Sequence, residues 1–201
     1  MDFSRVKENL EKRGFAVTVF DTAAAAADYL DAAIDGKTVG FGGSITLQQM
    51  ELAERLESHN ELFWHWKVKE GETPADALKN ARSAEIYVTS VNGLAESGEI
   101  INIDGTGNRV ASSIYGHQKV YFVIGVNKIA PDYDAALWRA RNIAAPKNAQ
   151  RLGMQTPCAA NGDRCYNCKS PARICRALSV LWCAPTGSQY EVVLVKEDLG
   201  Y

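Results

Sequence analysis

Short apolar runs alternate along this chain with segments whose apolar residues recur every three or four positions. The runs at residues 15–20, 37–41, 85–89, 99–103 and 120–126 are rich in β-branched and aromatic side chains and predict strands. VYFVIGV at 120–126 is apolar without a break, as central parallel strands are. Phe3, Val6 and Leu10 predict a helix that Gly14 closes, and Thr22 the cap of an alanine-rich helix through Tyr29 and Leu30. Leu47, Met50, Leu52, Ala53 and Leu56 predict one helix after Ser44, with Thr46 and Gln49 as a capping box. Further helices are predicted at 74–82 and near 110–114. A long one opens at Pro131 and ends near Leu152-Gly153, with Leu137, Ile143 and Ala144 turned inward. Residues 178–183 and 190–196 predict two more strands, joined as a hairpin by Pro185-Thr186-Gly187-Ser188.

This order predicts an α/β fold: a three-layer sandwich with a mostly parallel sheet, a C-terminal antiparallel hairpin and a cysteine-rich metal-binding loop. The expected organisation is one domain over 1–201, with an N-terminal helix–strand segment at 1–36 and a cysteine-rich insertion at 154–177. A chain of 201 residues suits one core better than two.

Composition narrows the partners. A formal net charge of −2 leaves no basic footprint, so nucleic acid is not expected. No apolar run approaches the roughly 20 residues of a membrane span, and the N-terminus lacks the apolar core of a secretory signal. The expectation is a cytoplasmic protein with no membrane partner, its oligomeric state open.

Residues 90–109, SVNGLAESGEIINIDGTGNR, carry the first candidate chemistry. Gly93, Gly98, Gly105 and Gly107 permit positive φ and close backbone approach, a costly composition that buries little. Within it, Arg109 offers a planar fork for a carboxylate or phosphate, Asn108 adds an amide, and Asp104 can orient a hydroxyl or move a proton. Glu96, between small residues, is a candidate base or nucleophile; its plain alternative is an exposed loop acid. Gly42, Gly43 and Ser44 stand between a strand and a helix, where backbone N–H groups can seat an anion. They complete neither a Walker loop nor a dinucleotide fingerprint, and the alternative is a turn that needs glycine only for its dihedrals. Lys128 follows the 120–126 strand and can neutralise an anion, a solvent lysine being the commoner case. His59, His65 and His117 have no triad or metal spacing, and His65, between tryptophans, reads as packed.

Cys158, Cys165, Cys168 and Cys175 form a C-x6-C-x2-C-x6-C pattern, four soft ligands in a loop-like stretch. A [4Fe–4S] cluster and zinc both suit them, and separate reduced thiols are the alternative. Cys183 reads as a core residue of a strand.

The blocks VGFGGSITLQQMEL, VNGLAESGEIINIDGTGNRVASSIYG, IGVNKI, NIAAPKNAQRLGMQTPC and CYNCKSPARIC together resemble the LUD (lactate-utilisation) domain proteins, from about Val39 onward. The resemblance implies a fold similar to sugar-phosphate isomerases, glucosamine-phosphate deaminases and CoA transferases. It implies that Gly42, Gly43, Ser44, Glu96, Asp104, Gly105, Gly107, Asn108 and Arg109 line one cleft. Glu96 in Glu96-Ser97-Gly98 echoes the CoA-transferase glutamate that attacks a thioester. Some members accompany flavin- or iron–sulfur-dependent lactate oxidation, and this chain lacks the motifs of a complete oxidase. The four-cysteine tail marks a subgroup. The expected function is binding of a small anionic metabolite (a hydroxy acid, phosphate or CoA ester) in organic-acid utilisation. The alternatives are an iron–sulfur component serving an oxidoreductase partner protein and a non-catalytic ligand sensor.

Overall fold

A computed structural model describes residues 3–201; the first two residues of the expected domain lie outside the described residues. The chain begins with α1 (Ser4–Lys12), β1 (Ala16–Phe20), α2 (Ala23–Ala33) and β2 (Thr38–Phe41). Two short helices come next, α3 (Ile45–Gln49) and α4 (Leu52–Leu56), then β3 (Glu61–Phe63), α5 (Pro74–Ala81) and β4 (Ile86–Thr89). After them stand β5 (Gly93–Ala95), β6 (Ile100–Asp104), α6 (Asn108–Ser112), β7 (Lys119–Gly125) and β8 (Ile129–Ala130). The chain ends with α7 (Tyr133–Arg139), α8 (Ala145–Arg151), α9 (Pro157–Asn161), β9 (Ala177–Leu181) and β10 (Gln189–Val195).

The main sheet has the order β1-β10-β7-β4-β2-β3, with every pairing parallel. Its strands are apolar on both faces because both are covered. Tyr121 and Val123 of β7, with Val193 and Val195 of β10, pack with Leu30 of α2 and with Leu47 and Leu56. Their neighbours Val120, Phe122, Ile124, Val192 and Leu194 face the other way, onto Val6 and Leu10 of α1. That second face also receives Leu94, Ile100 and Leu181 from a smaller mixed sheet of order β8-β5-β6-β9. Behind the small sheet lies α7, so close that a Cβ on Gly93 would come 2.6 Å from the carbonyl oxygen of Ala136. The layer over this face is therefore a sheet with a helix, where a plain three-layer sandwich has helices alone.

Four local expectations change. The C-terminal hairpin does not form. β10 is bonded on both sides, to β1 and β7, while β9 pairs antiparallel with β6 in the other sheet. The buried run from Tyr190 to Val195 makes β10 a central strand with no edge left for β9. The helix after Ser44 breaks at Glu51, whose φ is 49°, so Met50 and Leu52 fall on separate helices. Its cap is Ser44, which accepts from the Leu47 N–H, and Thr46 points into the interior instead. The long helix forms as α7 and α8 joined through a π-helical stretch, Ala140–Ala144. Pro146 withholds the N–H that the carbonyl of Asn142 would accept in an α-helix, and the wider turn spans that gap. Its inward residues are Ala136, Arg139, Ala140, Ala144, Pro146 and Ala149, with Leu137 and Ile143 only half-buried. Cys183, finally, is exposed.

Candidate functional site

The carboxyl ends of β2, β4, β7 and β10 meet at one end of the main sheet, the place where parallel α/β sheets take ligands. The residues just beyond those strand ends line a cleft of about 330 Å³: Gly43 and Ser44 after β2, Ser90 and Asn92 after β4, Lys128 after β7, and Gly200 after β10. Asp104, Gly105, Asn108 and Arg109 form a second wall, and His65, Trp66, Asn148 and Arg151 the mouth.

Gly42 and Gly43 are needed for space, since neither has positive φ. A Cβ on Gly43 would stand 3.1 Å from Trp66 Cζ2 and 3.3 Å from His65 Nε2. Gly42 packs against Thr89 and does not line the cleft. The dihedral explanation of the glycine pair therefore gives way to close approach. The helix capped by Ser44 spans only five residues, so its dipole contributes little.

Lys128 departs most from expectation. It is not a solvent lysine but only 4% exposed, on the cleft floor. Its Nζ donates to Thr46 Oγ1 at 2.7 Å and to Ser90 Oγ at 2.8 Å. Those hydroxyls donate onward to the carbonyls of Leu199 and Val123, so both require the lysine as donor. Among the described residues no carboxylate lies within 4.0 Å of it. Burial pushes its pKa well below the usual lysine value, and the Arg139 and Arg109 charges push the same way. After two donations, one position on the nitrogen remains: an N–H if charged, a lone pair if neutral.

Arg109 is half-buried and its fork is partly spent. Nη2 donates to Ile103 O at 2.6 Å and Asn92 Oδ1 at 3.0 Å, which ties the DGTGNR loop to the end of β4. Burial lowers its pKa while Asp104 opposes the shift. Asp104 Oδ2 accepts from the Val110 N–H at 3.1 Å and so caps α6. Gly107, at φ 88°, makes the turn into that helix, and Gly105 lies so near the carbonyl of Ile174 that a Cβ would come within 2.9 Å. Gly107 itself does not line the cleft.

Glu96 is not brought to the cleft. β5 and β6 form a hairpin, and its turn at Glu96-Ser97-Gly98 runs under α1. There Glu96 Oε2 lies 3.5 Å from Arg5, and Asn9 donates to the Glu96 carbonyl. Arg13 clamps the turn, with Nε to Ser97 O and Nη2 to Glu99 at 2.6 Å each. The glycine-rich stretch is thus divided between two jobs, its first turn docking α1 and its second lining the cleft.

Other residues in or behind the cleft wall carry no motif, and Arg139 stands behind it without lining the cleft. Arg139, 7% exposed, donates to Asn127 O at 2.7 Å and Asn92 O at 2.6 Å, bracing the loops after β7 and β4 together. Burial lowers its pKa to about 10, against the pull of Asp198. Arg151 stacks over Trp66 at 4.7 Å. Burial lowers the His65 pKa, with Asp104 opposing, and its Nδ1 has no hydrogen-bond partner. A positive helical face opposite a strand end was the only available signal for Arg139 and Arg151.

The cleft therefore sets the side chains of Lys128, Arg109 and Arg151 against one acidic side chain, that of Asp104, in a chain whose net charge is −2. Fold and site define an α/β domain with an electropositive cleft at the carboxyl edge of a parallel sheet. The LUD domain family profile matches residues 3–195, and the chain belongs to that family, which is associated with lactate utilisation. A DUF162 family protein from Deinococcus radiodurans shares the fold over 97% of this chain and 99% of its own, with TM-score 0.53 and 13% identity. The eIF2B beta subunit from Chaetomium thermophilum aligns over 66% of this chain and 44% of its own, at TM-score 0.33 and 12% identity. No curated protein matches the sequence. No helix among the described residues is long and apolar enough to cross a membrane.

Proposed function

We propose that the cleft binds a small anionic metabolite through a carboxylate or phosphate group, as a hydroxy acid, phosphate or CoA ester would offer. Lys128 carries the reading: a buried cation without an acid costs stability unless a ligand supplies the opposite charge. The anion sits at the free position of Lys128 Nζ, with Arg151 at the mouth and the Asn108 amide on the wall. Ser44 and the Gly43 backbone border it. Arg109 and Arg139 chiefly position the loops, because their guanidinium groups already hold backbone carbonyls. Asp104 is the carboxylate beside the bound molecule and the candidate for any proton transfer, while Glu96 has no part in the reaction. Calorimetric titration with L-lactate, pyruvate, inorganic phosphate and coenzyme A tests the proposal. At least one of the four is expected to bind wild-type protein and to lose affinity in Lys128→Met. Absence of binding by all four would refute it. Turnover of the bound compound, followed by chromatography, separates an enzyme from a sensor.

A further inference from the structure

The strongest unassigned feature lies behind the cleft wall. From Pro157 to Arg176 no residue is buried, and the only regular element is the short helix α9. A segment that buries no side chain has little hydrophobic reason to keep one conformation. Yet it brings Cys158, Cys165, Cys168 and Cys175, up to 17 positions apart by their numbers, around one cavity.

Donors point at these sulfurs. Asn167, held at φ 47°, gives its backbone N–H to Cys165 Sγ at 3.3 Å, so the Cys165–Cys168 turn is bent with its first sulfur inward. Arg173 donates to Cys175 Sγ at 3.2 Å and to the Cys168 carbonyl at 2.8 Å. Arg141 reaches Cys165 Sγ at 3.7 Å and Asn167 Oδ1 at 3.2 Å, while Thr156 Oγ1 and Cys158 Sγ lie 3.3 Å apart, either able to donate. Hydrogen bonds of this kind to sulfur are what the ligand sulfurs of a bound cluster receive from their surroundings.

We propose that these four cysteines ligate a [4Fe–4S] cluster, one thiolate to each iron. Four thiolates on a cluster of this kind leave roughly two net negative charges, which Arg141 and Arg173 offset. Spacing separates the cluster from zinc. A zinc ion bonded to sulfur at about 2.3 Å gathers its thiolates to within about 4 Å of one another. Among the described residues no three His, Cys, Asp or Glu side chains stand close enough to hold one ion. Ligands spread around a cavity fit a core with metal at several corners. The cavity is about 20 Å³, so seating such a core would require the half-exposed thiols to turn outward. Ala145 and Ile174 line both this cavity and the cleft, which sets the cluster one side chain away from the bound anion.

The test is anaerobic reconstitution of the full chain with ferrous iron and sulfide. The expected product holds about four irons and four sulfides per chain, with a visible charge-transfer band that dithionite bleaches. Cys168→Ser should fall to less than about a quarter of that iron, and Cys183→Ser should retain it all. Circular dichroism shows whether each variant is folded. As a readout independent of the variants, tryptic cleavage after Arg164 and Lys169 should slow at least about ten-fold in the loaded protein. One zinc per chain without sulfide, no iron uptake, full loading of folded Cys168→Ser, or cleavage indifferent to loading would each overturn the proposal. None of these outcomes bears on anion binding in the cleft.

Discussion

Replacing Lys128 with Met removes the amine and keeps a stem of similar length. Two hydrogen bonds disappear, to Thr46 Oγ1 and Ser90 Oγ. At about 1 kcal/mol for each, that costs ~2 kcal/mol. Neither hydroxyl is orphaned, because each keeps its own bond to a backbone carbonyl. Against the loss stands the cost of holding an amine in the interior with no acid beside it, roughly 1–3 kcal/mol for a neutral polar group and more for a charged one. The contributions nearly cancel, so the unfolding free energy is expected to change by less than about 1 kcal/mol. Ligand affinity has no such cancellation. Truncating one partner of a buried charge pair typically costs about 2–5 kcal/mol, a loss of affinity of about 30-fold or more. Urea denaturation measures the first quantity and calorimetry, with whichever of the four anions binds, the second. A variant destabilised by more than about 3 kcal/mol that binds as wild type does would show Lys128 to be a structural strut, and the reasoning would fail.

Anion binding should draw a proton onto Lys128 at pH values above its depressed pKa, so affinity falls as pH rises through that pKa. Binding enthalpies that do not vary with the ionisation enthalpy of the buffer would contradict this. Gly43→Ala pushes a methyl against Trp66 and His65 and should weaken binding several-fold at a stability cost of about 1 kcal/mol, whereas Glu96→Gln should leave affinity unchanged. A reversed pair of effects would return the E-S-G turn to the site. His117 is buried with Nε2 unpaired and its ring 4.9 Å from that of Tyr87, and burial lowers its pKa below 6.5. The unfolded chain then binds more protons below about pH 6.5, so this contribution is complete above that pH and is lost on acidification toward the native pKa. His117→Phe should flatten the dependence of stability on pH between about 7 and 5, leaving a same-signed slope from His65; an unchanged slope would refute the assignment.

Strands were legible in the sequence wherever burial is uniform. VYFVIGV declares itself because both its faces are covered, and so does YEVVLV of β10. Partnership was not legible, since local residues do not encode which strand lies beside which. A turn sequence at 185–188 suggested a hairpin, but the pairing of β10 with β1 depends on residues some 170 positions away. The glycine-rich loops were legible as costly backbone, but their purposes were not. Gly98 faces the aliphatic part of Arg13, with a would-be Cβ 2.7 Å from Arg13 Cδ, while Gly105 faces Ile174 beside the cleft. The same residue type meets two unrelated demands.

The cleft's charge shows most clearly why a site can be invisible in one dimension. Lys128 looks like a loop lysine because its sequence neighbours, Asn127 and Ile129, are ordinary at a strand end. What buries it is Thr46, 82 positions earlier, and Ser90, 38 positions earlier, with Gly200 closing over it: a Cβ there would come within 3.2 Å of Nζ. Each belongs to the carboxyl end of a different parallel strand or the helix after it, and the order β10-β7-β4-β2 makes those ends adjacent. The same order brings no acid to the lysine. Arg139, which could have been spared by any apolar residue that packs as well, instead braces Asn92 and Asn127 and adds positive charge nearby. An interior that keeps like charges together, with hydroxyls oriented toward the amine, is less stable than an apolar one would be. In the proposed function that cost is recovered when an anion completes the set, and the lysine, more than the glycine loops, carries that proposal.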